Sequence, residues 1–102
     1  MPSKRYEIWL SQTAFIVVDI VMAAGRVVSF CVRLMILGVD KERNIARYDT
    51  AHGIAHRDIL DRRGSVVQKV WFPDQPLEAV LNQALDDFKL HYQEYEETWQ
   101  SK

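Results

Sequence analysis

Cysteine is almost missing from this chain: Cys31 is the one thiol in 102 residues. A single thiol excludes an internal disulfide framework and fits a reducing compartment, hence the cytoplasm. Long uncharged apolar runs are missing too. The most hydrophobic stretch, Ala14 to Leu37, is interrupted by Asp19, Arg26 and Arg33. It therefore lacks the window of roughly 18 apolar residues that a membrane helix needs. Met1 to Arg5 is polar and basic, and Tyr6 to Leu10 is too short for the apolar part of a secretory leader. A strong excess of either charge is also absent. The formal net charge is −1, which argues against a protein whose whole surface binds nucleic acid electrostatically. No repeat, linker or low-complexity segment divides the chain, so one domain over residues 1–102 is expected.

What is present is an ordinary globular composition, 48% hydrophobic and 26% charged, with an uneven distribution of charge. Met1 to Trp71 carries 11 Lys/Arg against 7 Asp/Glu, whereas Phe72 to Lys102 carries 2 against 7. Two readings follow. The faces complement one another within the fold or across a homodimer, or the basic part meets an anionic ligand while the acidic part stays solvated.

Residues from about 6 to 72 read as strands. Tyr6, Ile8 and Leu10 alternate with Glu7 and Trp9. Phe15 to Met22 and Val27 to Leu37 are β-branched and aromatic-rich. Val28, Phe30, Val32, Leu34 and Ile36 form one apolar face, and Ile16, Val18, Ile20 and Met22 another. These faces share a side of the sheet only if even residues pair beside even residues, because a one-residue slip would put Asp19 in the core. Such a register requires an odd-numbered loop, here Ala24-Gly25-Arg26, with Gly25 or Arg26 at positive φ. It also predicts Asp19 opposite Cys31 and diagonal to Arg33, within ion-pair reach. Asn44 to Tyr48 reads as a further strand, with Ile45 and Arg47 on one side and Ala46 and Tyr48 on the other. His56 to Leu60 and Ser65 to Phe72 form a hairpin around Asp61-Arg62-Arg63-Gly64.

A helix follows over about 76–99, starting at Asp74 or Gln75 with Pro76 in its first turn. Leu77, Val80, Leu81, Ala84, Leu85, Phe88, Tyr92, Tyr95 and Trp99 make its apolar stripe, with His91 at the boundary. The expected fold class is α+β: an antiparallel sheet of about five to six strands with one long C-terminal helix packed across it.

The candidate site is the polar run Arg47-Tyr48-Asp49-Thr50-Ala51-His52-Gly53-Ile54-Ala55-His56-Arg57-Asp58. Metal-independent RNA cleavage needs a base, an acid and cations for the phosphorane charge. Histidine suits both proton roles near neutrality. His52 and His56 would be the catalytic pair, with Asp49 (or Asp58) orienting an imidazole as in a catalytic triad. Arg47 and Arg57 would bind phosphate, and Tyr48 would stack on a base or donate its hydroxyl. A metal on His52, His56 and Asp49 would need a helix that Gly53 and the strand-like flanks oppose, so neither metal nor cofactor is expected. The structural alternative is a polar loop in which Asp49 and Thr50 bond backbone amides while the histidines pack against Tyr48 or Trp71.

The run R-Y-D-T-A-H-G-x-x-H-R-D follows the strand G-R-V-V-S-F-C-V-R-L and precedes D-R-R-G and a late acidic helix. From about Ile16 to Tyr95 this pattern resembles a family of small prokaryotic proteins of unknown function. Arg47-Tyr48-Asp49 followed by histidines is also similar, more distantly, to the TumE-like family of toxin–antitoxin pairs. Arg47, Tyr48, Asp49, His52 and His56 are the matching positions, while Thr50 stands where that family has Asn. The resemblance implies a cytoplasmic toxin–antitoxin component that binds or cleaves RNA and meets a cognate antitoxin or toxin. The competing expectation is a non-enzymatic interaction module or homodimeric scaffold. It would work through its sheet edge or the Tyr92, Tyr95, Trp99 end of the helix.

Overall fold

The computed structural model describes residues 2–101. Six strands follow one another: β1 (Ser3–Trp9), β2 (Ala14–Ala23), β3 (Arg26–Leu37), β4 (Glu42–Ala51), β5 (Ile54–Leu60) and β6 (Val66–Phe72). Each pairs antiparallel with its neighbours in the order β1-β2-β3-β4-β5-β6, so the sheet is an uninterrupted meander. One helix, α1 (Leu77–Gln100), then lies across β3, β4 and β5. This is the α+β architecture that the alternation and the 3.6-residue stripe predict.

The core lies between α1 and one face of the sheet. Ile16, Val18, Phe30, Val32, Leu34, Ala46 and Tyr48 meet Val80, Leu81, Ala84 and Phe88 there. Even residues of β2 and β3 pair with each other, as in Ile16↔Leu34 and Val18↔Val32, and Asp19 lies opposite Cys31. Arg33 Nη2 stands 2.9 Å from the Asp19 carboxylate, on the face away from the helix. The even-to-even register is therefore present, but the device that produces it differs from a three-residue loop. The loop has two residues, Ala24 and Gly25, with φ of 52° and 74°, and Arg26 already pairs with Ala23. The odd residue is a bulge: pairing jumps from Val21↔Ser29 to Met22↔Val27, leaving Val28 as the extra residue. Val27 consequently packs against the core, and Val28, expected there, is 39% exposed.

A second bulge corrects the reading of β4. Leu34 pairs with Ala46 and Met35 with Asn44, so Ile45 is extra and joins Ala46 in the core instead of facing Arg47's side. A third, opposite Ile59 and Leu60, leaves Val67 extra in β6.

The helix begins later than expected. Pro76 is its N-cap, with ψ of 145°, and it disfavours helical backbone at Gln75, which keeps Asp74 and Gln75 out of the helix. The Glu78 carboxylate in the first turn accepts the Val27 N–H at 3.2 Å. This bond ties the helix start to β3, and with Glu78's own backbone N–H it holds that carboxyl below its usual range.

Candidate functional site

The twelve-residue polar segment is not a loop. It is most of the β4–β5 hairpin, paired Arg47↔Asp58, Tyr48↔Arg57, Asp49↔His56, Thr50↔Ala55 and Ala51↔Ile54. His52 and Gly53 close it as a two-residue turn, with φ of 55° and 76°. Positive φ at both turn residues is the geometry whose twist matches paired strands. Because successive side chains point to opposite faces of a strand, the hairpin sends the candidate residues in two directions. Arg47, Asp49, His56 and Asp58 lie on the open face of the sheet. Tyr48 and Arg57 lie on the face beneath α1. His52 is exposed at the tip.

On the open face Arg47, His56 and Lys69 gather around Asp58, which is 0% exposed. Its carboxylate pairs with Arg47 Nε at 2.9 Å, Lys69 Nζ at 3.0 Å and His56 Nε2 at 3.4 Å. Burial pushes the Asp58 pKa up. The bonds from Lys69 and Arg47 and the His56 charge push it down further, so the carboxyl ends below its ordinary range. His56 is 5% exposed and its ring packs at 4.8 Å from that of Trp71. Its Nδ1 is buried without a hydrogen-bond partner among the described residues. Asp49 accepts the Thr50 N–H at 2.8 Å, and the Thr50 hydroxyl oxygen accepts the Phe30 N–H at 3.2 Å. These are the backbone bonds of the structural alternative. Cys31 lies between these groups, its thiol pushed up to about 11 by burial and then by Asp49.

Beneath the helix, Tyr48 and Arg57 join residues that the motif did not mark. The Tyr48 hydroxyl donates to Asp87 Oδ2 at 2.7 Å, and the Tyr95 hydroxyl donates to the same oxygen. Burial, and then the Asp87 carboxylate, raise the pKa of both phenols. Both therefore remain protonated donors. Arg57 reaches the Tyr95 hydroxyl at 3.3 Å and the Gln68 side-chain carbonyl at 3.5 Å. A cleft of about 370 Å³ opens here, lined by Arg57, Ile59, Gln68, Asp87, His91, Glu94, Tyr95 and Thr98. A neighbouring depression adds Tyr48, Asn82, Gln83 and Asp86. Asp87, His91 and Tyr95 recur at four-residue intervals, which puts them along one side of α1. That spacing was the available signal. A further hollow, between the β3–β4 and β5–β6 loops, is lined in part by Arg47 and Arg62.

The sequence-marked residues therefore do not share one pocket. Neither His52, His56 nor Asp49 lines any of these three hollows. One imidazole sits in solvent at a turn and the other lies beneath an indole, where it joins the groups around Asp58. Among the described residues no group of three or more His, Cys, Asp or Glu side chains is placed to hold a metal ion. No helix among them is long and apolar enough to cross a membrane. A family model, described as Domain of unknown function (DUF7718), matches residues 1–102. No curated protein and no solved structure matches the chain.

Proposed function

The chain belongs to the DUF7718 family, and we propose that it is a cytoplasmic interaction module which binds a partner protein by adding that partner's extended segment to its β6 edge. One observation carries this reading: the two edges of the sheet are guarded unequally. Edge strands invite pairing unless charge, bulges or covering segments deter it. β1 carries Lys4, Arg5 and Glu7 along its seven residues. β6 carries one charge, Lys69, which pairs with Asp58 and lies over the Trp71 ring. Arg5 of β1 likewise pairs with Asp19 and Lys4 lies over Tyr6, so the asymmetry is three charges against one. The bulge at Val67 disturbs only the start of β6. Gln68 to Phe72 remains a regular paired run that includes exposed Trp71 and follows exposed Val66 and Val67. Backbone addition at such an edge gives affinity through main-chain hydrogen bonds, with side-chain pockets supplying selectivity.

The partner we favour is a different chain, of the kind a toxin–antitoxin pairing would supply, and not a second copy. Joining two β6 strands about a two-fold axis normal to the sheet would place both helices on the same side of it. The cleft beside β6 is rimmed by Asp86, Asp87 and Glu94, so like charges would face across the joint. RNA cleavage ranks behind binding because its two proposed proton carriers occupy different surroundings.

The test is to isolate the co-purifying partner from the native cell, reconstitute the complex and follow amide hydrogen exchange. Slowed exchange confined to Gln68–Phe72, and loss of the complex on Val66→Lys with a β1 variant unaffected, is the expected result. Protection of β1 instead, or no protection, overturns strand addition at β6. A symmetric dimer protected at β6 overturns the choice of partner.

A further inference from the structure

The arginines that the fold partly buries differ in one respect. Arg33, Arg43 and Arg47 each stand within 4.0 Å of a carboxylate: Asp19, Asp40 and Asp58 respectively. Arg57 is partly buried too, yet among the described residues it has no carboxylate partner. Its contacts are a phenol and an amide oxygen, both neutral, at 3.3 and 3.5 Å. Its Nε is buried with no hydrogen-bond partner among the described residues. A guanidinium offers five donors in a rigid fork that matches a carboxylate bidentately. Leaving such a cation half-desolvated and unmatched is costly, and an anionic group in the cleft removes the cost.

The surroundings narrow which anion fits. Asp87 and Glu94 line the same 370 Å³ space, and Asp86 lines the adjoining one. A dianionic phosphate ester would meet these carboxylates as well as Arg57. A monoanion carrying its own cation meets complementary charge at both ends. Asp87 uses Oδ2 to accept both tyrosine hydrogens, which fixes the carboxylate against the cleft wall. Glu94 is held by His91 Nδ1 at 3.1 Å. Ile59 and the Tyr95 ring supply apolar wall to the same space. The volume lies at the small end of ligand pockets.

We infer that the cleft between α1 and the β5–β6 strands binds a small zwitterion of the α-amino-acid class, its carboxylate on Arg57 and its ammonium toward Asp87 and Glu94. This site rests on Arg57 and the cleft, and it is independent of strand addition at β6. The two phenols are held protonated and occupy one oxygen of Asp87, which leaves the other to face the ammonium.

The experiment is a backbone and side-chain NMR titration of the full chain with individual L-amino acids, alongside acetate, methylammonium and inorganic phosphate. Saturable shifts centred on Arg57, Gln68, His91 and Tyr95 with at least one amino acid, and much weaker shifts with acetate or methylammonium alone, are expected. Arg57→Lys then weakens binding about tenfold or more, since the fork is lost. Glu94→Gln, an exposed position that folding does not require, weakens it less and through the ammonium end. Phosphate or acetate binding as tightly as any amino acid overturns the zwitterion assignment. Absence of saturable shifts with every probe, in a protein whose spectrum is folded, overturns the site.

Discussion

At Asp58, burial and ion pairing act against each other. Transfer of a carboxylate to a site with no exposure is unfavourable, and three cationic or ionisable groups offset it. Removing the carboxylate leaves Arg47 and Lys69 facing each other over a void. Asp58→Ala is therefore expected to lower stability by about 3 kcal/mol, the low end for a broken buried pair because both cations are partly exposed. Urea unfolding measures it. The sign of the pH effect follows from the lowered pKa. A carboxyl depressed in the folded state stabilises above its unfolded pKa, and that stability drains away as pH falls through the folded value. The melting temperature of wild type is thus expected to fall on acidification below the ordinary aspartate range. In Asp58→Asn that part of the dependence disappears and the curve is flatter. The histidines give a separate outcome. Expression of wild type is expected to leave cellular RNA intact, and His52→Ala is expected to change neither growth nor RNA integrity. RNA degradation that requires both His52 and His56 would favour the catalytic reading over binding alone.

The β4–β5 hairpin shows what a strand makes legible and what it hides. The alternation of buried and open faces runs through Arg47–Asp58 once His52-Gly53 is recognised as a two-residue turn. Histidine in the first turn position disguises it, because Asn-Gly is the usual signal. With that turn placed, parity alone separates Arg47, Asp49, His56 and Asp58 from Tyr48 and Arg57. Parity also gave the Asp19–Cys31–Arg33 arrangement correctly. The bulges at Val28, Ile45 and Val67 were not legible, since an extra valine or isoleucine in a strand looks like any other. Asp87 and His91 were hidden for another reason. They reach the hairpin only through the docking of α1, which lies 30 residues or so downstream and which no local pattern positions. The turn itself yields a prediction. His52 sits at φ 55°, where most side chains are strained and asparagine is tolerated. His52→Asn is expected to stabilise the protein by about 0.5 kcal/mol, and Gly53→Ala, at φ 76°, to destabilise it by about 1 kcal/mol. Thermal melts of the pair check both signs.

Across the whole molecule, the charge imbalance of the sequence becomes a layered one. The strands carry the cationic excess and α1 the anionic excess. The open face nevertheless engages its cations internally: Arg5 and Arg33 share Asp19, and Arg47 and Lys69 share Asp58. A phosphate backbone laid there would have to compete with carboxylates already in place, which is why salt-dependent nucleic-acid affinity is expected to be weak. The layers themselves are held by apolar burial. Phe88 is 0% exposed and meets the rings of Tyr48 and Tyr95 edge-on, each at 5.3 Å. Phe88→Ala is expected to cost about 3–5 kcal/mol, and to loosen the Asp87 cleft along with the core. Chemical denaturation reports the first effect and the Tyr95 side-chain resonances the second.

The extra residue in β3 has an evolutionary implication. Ser29 pairs with Val21 on one side of Val28 and Val27 with Met22 on the other. Excising Val28 would splice two pairings that already agree in orientation, so the shortened hairpin closes with the same side chains inward. Excising Val32 instead inverts half a strand and drives charge into the interior. Length variants of this protein are thus expected to survive selection at position 28 and to vanish a few residues further on, a contrast that a scan of single-residue deletions for soluble expression would expose.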